Sequence, residues 1–495
     1  MLQPGPHPVG YRVMPLQDPS RPTGPKRPTD GKPAGDRARR LAVHLWYPAG
    51  SSDAPAMTLG EYARAGALPH ETPAAAAANH RAMVGRIFAP ALSDAEWTAY
   101  TAGPMLARRD SAPAAGRHPL LVGTFRPVSM TLTSEYLASH GYVVAFVQSP
   151  GREEIEADGA VMEALYITQF VRDMEVAVAA LREQPFVDPV ALGTLGFSGS
   201  GLSSLPLAMR NGDVDAVAQL ETGYFGPQGS SYRALPAYDT AALRVPFFYA
   251  YGVTLRAPEL HVAEMQAMRY APRVVVYAGE PRMDHWDLAT EGPATITLIH
   301  RRPDARRGVF RAIEAAHRNL LTFFDAYVKR DQAARSKVSQ SFQEPGSGAM
   351  VEVQVHPPIR PAMSRREFSR LLDEDPLRAG QLAREGLARD PQAVLFEEAY
   401  LNTLGYERLN QRQGDKAIEV LRLNADAHPA SANAMDSLSE ALELIGRHAA
   451  ALEAAERALS LLPGDQSVPA PQRKALEDAL RTRIGRLKKQ ERPGP

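Results

Sequence analysis

The sequence predicts a mostly parallel α/β domain followed by an all-α domain of short helical repeats. Three observations carry this. Continuous apolar runs alternate with helical stretches between about residues 119 and 328. One strand runs straight into a Gly/Ser-rich turn and a helix at 190–210. Beyond residue 400 similar residues recur at a fixed period.

The apolar runs are Leu120-Leu121-Val122, Tyr142 to Val147, Val190 to Phe197, Val214 to Leu220, Val245 to Ala250 and Arg273 to Tyr277. Strands that are apolar throughout, rather than alternating, belong to a parallel sheet buried on both faces. Helices are expected around Ser134–His140, Val161–Glu183, Gly201–Arg210 and Ile313–Val328. Together they make a doubly wound α/β unit. Before it, Leu41 to Tyr47 reads as a strand, and residues 1–40, rich in Pro and Gly, read as loop with at most short strands. Residues at about 57–110 carry apolar side chains at helical spacing and read as a helical insertion.

In the C-terminal part Leu404 and Leu438, Ala417 and Ala451, and Pro429 and Pro463 are each 34 residues apart, the period of tetratricopeptide helix pairs. Ala383 precedes Ala417 by the same interval, which suggests a further copy. The expected division is an α/β domain over 1–332, a polar and Pro-rich linker over 333–362, and tetratricopeptide-like repeats over 363–490. A chain of 495 residues has room for both domains.

Composition narrows the function. Lys+Arg and Asp+Glu are equal at 56 each, so the basic excess that nucleic acid or an anionic membrane rewards is absent. There is no cysteine, which removes thiolate nucleophiles, thiolate metal sites and disulfides. No apolar stretch has the length of a transmembrane helix or, within Met1–Gly10, of a signal peptide. The expectation is a soluble chain, cytoplasmic or exported with its signal already removed.

The segment Gly196-Phe197-Ser198-Gly199-Ser200-Gly201 sits between the strand 190–197 and the helix that follows. This is the context of a nucleophile elbow, in which a strained turn lifts a serine hydroxyl above the sheet edge. Ser198 is the expected nucleophile, with Gly196 and Ser200 as the small residues two positions to either side. The usual second glycine is therefore a serine. Ser200 as nucleophile would put Leu202 where a small residue is needed. The Gly199 N–H, at a helix N-terminus, is the natural oxyanion donor.

A serine nucleophile needs a general base, and the base needs an acid to orient it. Downstream lie His261, His285, His300 and His317. His285 follows a strand directly, on the kind of loop where a base is expected, whereas His261 and His317 fall in helical stretches and read as surface residues. For the acid, the loop after strand 245–250 offers no carboxylate before Glu259. Glu221 stands at the C-terminal end of the preceding strand, where ligand-facing residues of α/β sheets gather. It is preferred over Asp284, Asp287 and Glu259.

At this point a family resemblance becomes specific. His7-Pro8-Val9-Gly10-Tyr11-Arg12, Leu45-Trp46-Tyr47-Pro48, His118 to Val122, Tyr136 to Val144 and the elbow together resemble bacterial hydrolases similar to platelet-activating-factor acetylhydrolase. The resemblance covers about residues 5–300 and implies an α/β-hydrolase fold. It also implies an acid after the strand that follows the elbow helix, matching Glu221, and a histidine matching His285. The implied activity is that of a serine esterase or lipase-type hydrolase, acting without metal or cofactor on short or truncated acyl esters. One segment departs from the family pattern. The loop Gly123-Thr124-Phe125-Arg126-Pro127-Val128 is shortened, and Pro127 has no N–H to donate. Phe125 or Arg126 would have to serve as the second oxyanion donor, and losing one such donor costs about 3–4 kcal/mol of transition-state stabilisation. The alternative to an esterase is accordingly a catalytically weakened hydrolase fold that serves as an interaction platform. The repeats suit a protein partner or a homodimer, and the expected small-molecule partner is a lipid-like ester.

Overall fold

The computed structural model describes residues 2–22, 38–68, 71–89, 92–124, 127–148, 159–222, 230–233, 238–240, 242–252, 263, 265–280, 283–299, 307–344, 350–360, 365–390, 397–466 and 468–490. The chain divides into two compact units, Met1–Pro358 and Ile359–Pro495.

Unit one is built on a twelve-stranded mixed sheet. In chain order the strands are β1 (Val9–Pro22), β2 (Ala38–Pro48), β3 (Ala56–Thr58), β4 (Pro104–Arg109), β5 (His118–Thr124), β6 (Val143–Gln148), β7 (Val187–Phe197), β8 (Ala216–Leu220), β9 (Phe247–Gly252), β10 (Arg273–Glu280), β11 (Phe342–Gln343) and β12 (Met350–His356). Their order across the sheet is β3-β4-β1-β2-β6-β5-β7-β8-β9-β10-β12-β11. The six central strands from β6 to β10 are parallel, and β2 joins them antiparallel through β6. This is the α/β-hydrolase fold.

Burial explains the arrangement. Residues of one central strand alternate between two separate cores. Val143, Ala145 and Val147 of β6 enter one, and Val144 and Phe146 enter the other. The first core also receives Leu181 and Leu205, from helices Gly159–Arg182 and Gly201–Arg210. The second receives Leu137, Leu320 and Phe324, from helices Thr131–Ser139 and Arg307–Tyr327. A fully buried Phe or Val is worth roughly 1.5–3 kcal/mol, so strands with apolar residues on both faces suit the central positions, and the polar Thr124 and Gln219 buried there are hydrogen-bonded.

Three expectations are corrected. Residues 9–22 form a long strand, antiparallel to β2 along most of its length. Among the described residues, β1 pairs beyond Tyr11 with β2 alone, an edge-like position in which Pro15, Pro19 and Pro22 are tolerated. The linker expected at 333–362 is largely part of unit one. It contains helix Gln332–Lys337 and β12, which pairs antiparallel with β10 from Arg273↔His356 to Glu280↔Met350. Val351 and Val353 of β12 are buried in the sheet core. The insertion at 57–110 carries helices Leu59–Ala65, Pro73–Ile87 and Asp94–Thr101, as expected, but strands β3 and β4 bracket it. No helix among the described residues is long and apolar enough to cross a membrane.

Unit two is all-helical. Helix Glu398–Asn410 is followed by Gly414–Ala427, and then Ala432–Leu444 by His448–Leu461. The second pair starts 34 residues after the first in both helices, as the sequence period requires. The recurring alanines 383, 417 and 451 are all buried, because a small side chain is what lets successive helices approach closely.

Candidate active site

The chain passes from β5 outward to β6 and returns on the other side of β5 to β7. The strand order therefore reverses between β5 and β7, and the crevice at the C-terminal ends of such strands is where α/β sheets bind ligands. Gly123 and Thr124, expected in a loop, instead end β5; Ser198 follows β7 and the turn Pro127–Met130 comes after β5, so both flank this point.

Ser198 has a φ of 50°. A left-handed conformation on a non-glycine residue costs on the order of 1–2 kcal/mol, which the surrounding turn must hold. Three neighbours do so. Gly196 is required because a Cβ there would lie 2.4 Å from the Ser204 Oγ and 2.7 Å from the Gly201 Cα. Gly201 is required because its Cβ would lie 2.1 Å from the Thr222 Oγ1 and 2.2 Å from the Gln219 Oε1. Ser200 is buried, and its hydroxyl closes the turn on itself. It accepts from the Phe197 N–H at 2.6 Å and donates to the Phe197 carbonyl at 2.7 Å. The serine that replaces the second glycine of the motif thus fastens the elbow, while Gly201 provides the missing space. Gly199 follows Ser198 in the single helical turn Ser198–Ser200 and is exposed. Phe125 and Arg126 lie outside the described residues.

Glu221 directly follows β8 and also has a positive φ, 46°. Its side chain is fully buried, with Oε1 accepting from the Gly252 N–H at 2.5 Å. Its own N–H donates to the Ala250 carbonyl at 2.9 Å. The end of β9 therefore fixes this carboxylate from the backbone side.

His285 opens the one-turn helix His285–Leu288 after β10. Asp284 accepts from the His285 N–H at 2.6 Å, and Asp287 accepts from the Asp284 N–H at 2.7 Å. These two acids, considered as alternatives to Glu221, cap the histidine loop. The imidazole stacks on Phe197 at 4.9 Å between centroids and meets Trp286 edge-on at 5.4 Å.

The three side chains meet. The His285 Nε2 lies 2.9 Å from the Ser198 Oγ, and the Nδ1 lies 3.4 Å from the Glu221 Oε2. A hydroxyl bonded to an imidazole whose other nitrogen faces a buried carboxylate can lose its proton to that imidazole during attack on a carbonyl. The second distance is long for a hydrogen bond, as catalytic bonds often are before substrate binds.

No family model matches the chain. No curated protein matches it in sequence. In structure it resembles a ferulic acid esterase from Streptomyces cinnamoneus, at 20% identity and a TM-score of 0.44, over 66% of this chain and 91% of that one.

His317 is buried rather than on the surface. Its Nδ1 lies 2.8 Å from the Ile313 carbonyl and its Nε2 2.9 Å from the Thr133 Oγ1, and burial holds its pKa down at about 4. His261, His300 and Glu259 lie outside the described residues. Two contributors carried no side-chain signal in the sequence. The Gly252 donor is a backbone group, and Phe197 reads only as a core residue of its strand. The insertion reaches this region through Phe88, whose ring packs edge-on against Trp286 at 5.9 Å. Leu59, Val84 and Ile299 complete the apolar cluster behind the two rings.

Proposed function

We propose that the protein is a serine carboxylic-ester hydrolase working through an acyl-enzyme. The observation that carries this is the 2.9 Å approach of the His285 Nε2 to the Ser198 Oγ, with the buried Glu221 carboxylate on the far side of the ring. With the Nδ1 proton directed at Glu221, Nε2 is left to accept. Ser198 attacks the ester carbonyl carbon as its proton passes to Nε2. The oxyanion of the tetrahedral adduct faces the Gly199 N–H, and Phe125 or Arg126 supplies the second donor. Collapse breaks the bond to the alkoxy group, which takes the proton from Nε2 and leaves as the alcohol. Water then attacks the acyl-enzyme, gives its proton to Nε2, and Ser198 recovers that proton as the carboxylic acid departs. Each step is balanced within the three residues and water, with no metal or cofactor.

The substrate class we assign is short or truncated acyl esters. The Phe88–Trp286 wall offers an apolar surface beside the histidine, and the family resemblance points the same way. For unit two, the 34-residue spacing of its helix pairs supports the tetratricopeptide reading. A role in binding a protein partner or a second copy of the chain follows from it.

The test is hydrolysis of p-nitrophenyl acetate, butyrate and longer esters by the wild type and Ser198→Ala. Wild-type turnover that falls with acyl length and disappears in Ser198→Ala is the expected result. Intact substrates with the wild type would overturn the esterase assignment and favour the interaction platform.

A further inference from the structure

A second buried polar group joins the turn that follows β5 to the segment that follows the His285 turn. Ser129 lies in the helical turn Pro127–Met130, which comes after β5, and Thr290 and Glu291 follow the His285–Leu288 turn. All three are buried, at 1%, 3% and 0% exposure. The Ser129 hydroxyl donates to the Glu291 Oε1 at 2.6 Å. The Ser129 carbonyl accepts from the Thr290 N–H at 2.8 Å and from the Thr290 hydroxyl at 3.0 Å. The Thr290 hydroxyl oxygen also accepts from the Leu132 N–H at 3.0 Å. Four hydrogen bonds thus fasten the segment Ser129–Leu132 to Thr290 and Glu291, across about 160 residues of sequence.

A carboxylate is costly to bury, and an apolar contact would close the same gap without that cost. What the polar strap adds is direction. Hydrogen bonds fix both the separation and the register of the two segments, whereas apolar side chains slide. In this site the register is what matters, because the oxyanion donors and the imidazole must address one tetrahedral carbon from two different loops.

We infer that Ser129, Thr290 and Glu291 are positioning residues for this hydrolase. They set the turn Pro127–Met130 against the His285 turn and act on the acylation step through that geometry. The inference rests on the esterase assignment.

The experiment compares Ser129→Ala and Ser129→Thr, and Glu291→Leu and Glu291→Gln, in the full chain. Three quantities are read: kcat and KM on p-nitrophenyl butyrate, the rate of labelling by a fluorophosphonate, and the thermal midpoint. Ser129→Ala is expected to lower kcat by about tenfold to a hundredfold, the range that displacement by a fraction of an ångström to one ångström produces. KM should stay within about twofold, and labelling should slow in parallel with kcat. Ser129→Thr keeps the hydroxyl, and Glu291→Gln keeps an acceptor for it, so both should recover most of the lost rate. Glu291→Leu should resemble Ser129→Ala or fail to fold, and its Gln counterpart covers the second case. A wild-type kcat in Ser129→Ala would overturn the inference, as would a lost rate explained entirely by unfolded protein at the assay temperature. A wild type that neither turns over ester nor reacts with the fluorophosphonate would instead remove the esterase assignment.

Discussion

Ser198 and Glu221 are two of the five non-glycine residues with positive φ among the described residues. Such strain persists only where the surroundings over-determine it, and it concentrates at functional positions. Here the surroundings are specific: the doubly bonded Ser200 hydroxyl, the space left by Gly196 and Gly201, and the Gly252 amide that holds Glu221. Ser198, His285 and Glu221 were legible in the sequence because each is a reactive side chain at the end of a recognisable strand. The work of Ser200 was not legible. From the motif alone it is a departure from glycine, and only the turn reveals that its hydroxyl has two backbone partners. The division of labour among the acids is testable at this scale. Glu221→Gln should lower kcat by about 10³-fold or more, because the amide favours the wrong imidazole tautomer. Asp284→Asn and Asp287→Asn should cost less than about tenfold, since the Asn amide oxygen still accepts the capped N–H and caps about as well as Asp. Steady-state kinetics on one ester distinguish these outcomes, and a larger loss at Asp284 or Asp287 would move the acid.

At the scale of elements, the insertion is held to the body by a buried carboxylate. Glu135, on helix Thr131–Ser139, accepts from the Leu106 N–H at 2.8 Å, the Ala107 N–H at 3.0 Å and the Tyr62 hydroxyl at 2.8 Å. Burial outweighs these three donors and pushes its pKa from the ordinary 4.5 up to about 7. The folded state therefore holds this proton more tightly than the unfolded chain. The resulting stability is fully present below pH 4.5 and is lost as pH rises through about 7. His44 and His317, held near 4 by burial, act in the opposite sense, losing stability as pH falls from 6.5 to about 4. The comparison that isolates Glu135 is thus a difference. Relative to Glu135→Gln, the wild type should lose stability by urea denaturation as pH climbs from 4.5 to 7, and the two curves should run parallel above that range. Parallel curves throughout would contradict the assignment. The same scale explains what the sequence hid. The insertion helices carried apolar periodicity, but β1 was masked by its prolines. β12 was legible in retrospect, because Val351, Val353 and Val355 alternate with Glu352 and Gln354. A Pro-rich flank outweighed that period-two signal.

At the scale of the molecule, the proposed triad lies in unit one, and β12 belongs to that unit. Its removal would leave the full length of β10, with Val274 and Val276 in the core beneath it, as an uncovered sheet edge. A chain ending after Pro358 should stay soluble with ester turnover within about twofold of the full chain, whereas one ending after Gln332 should aggregate or melt well below it. Soluble yield and thermal midpoints measure the difference, and equal behaviour of the two would contradict the role of β12. The division into an α/β part and a helical part was legible from strand hydrophobicity and the 34-residue period, both long-range regularities. The boundary was not, because it depends on one edge strand finding its partner about 75 residues away.

The central claim is that Ser198 is an activated nucleophile, and mass spectrometry of the intact chain after treatment with a fluorophosphonate tests it most directly. The account predicts one adduct per chain, mapped by peptide analysis to Ser198, and none in Ser198→Ala or after heat denaturation. An unmodified wild type, or an adduct that persists in Ser198→Ala, would contradict it.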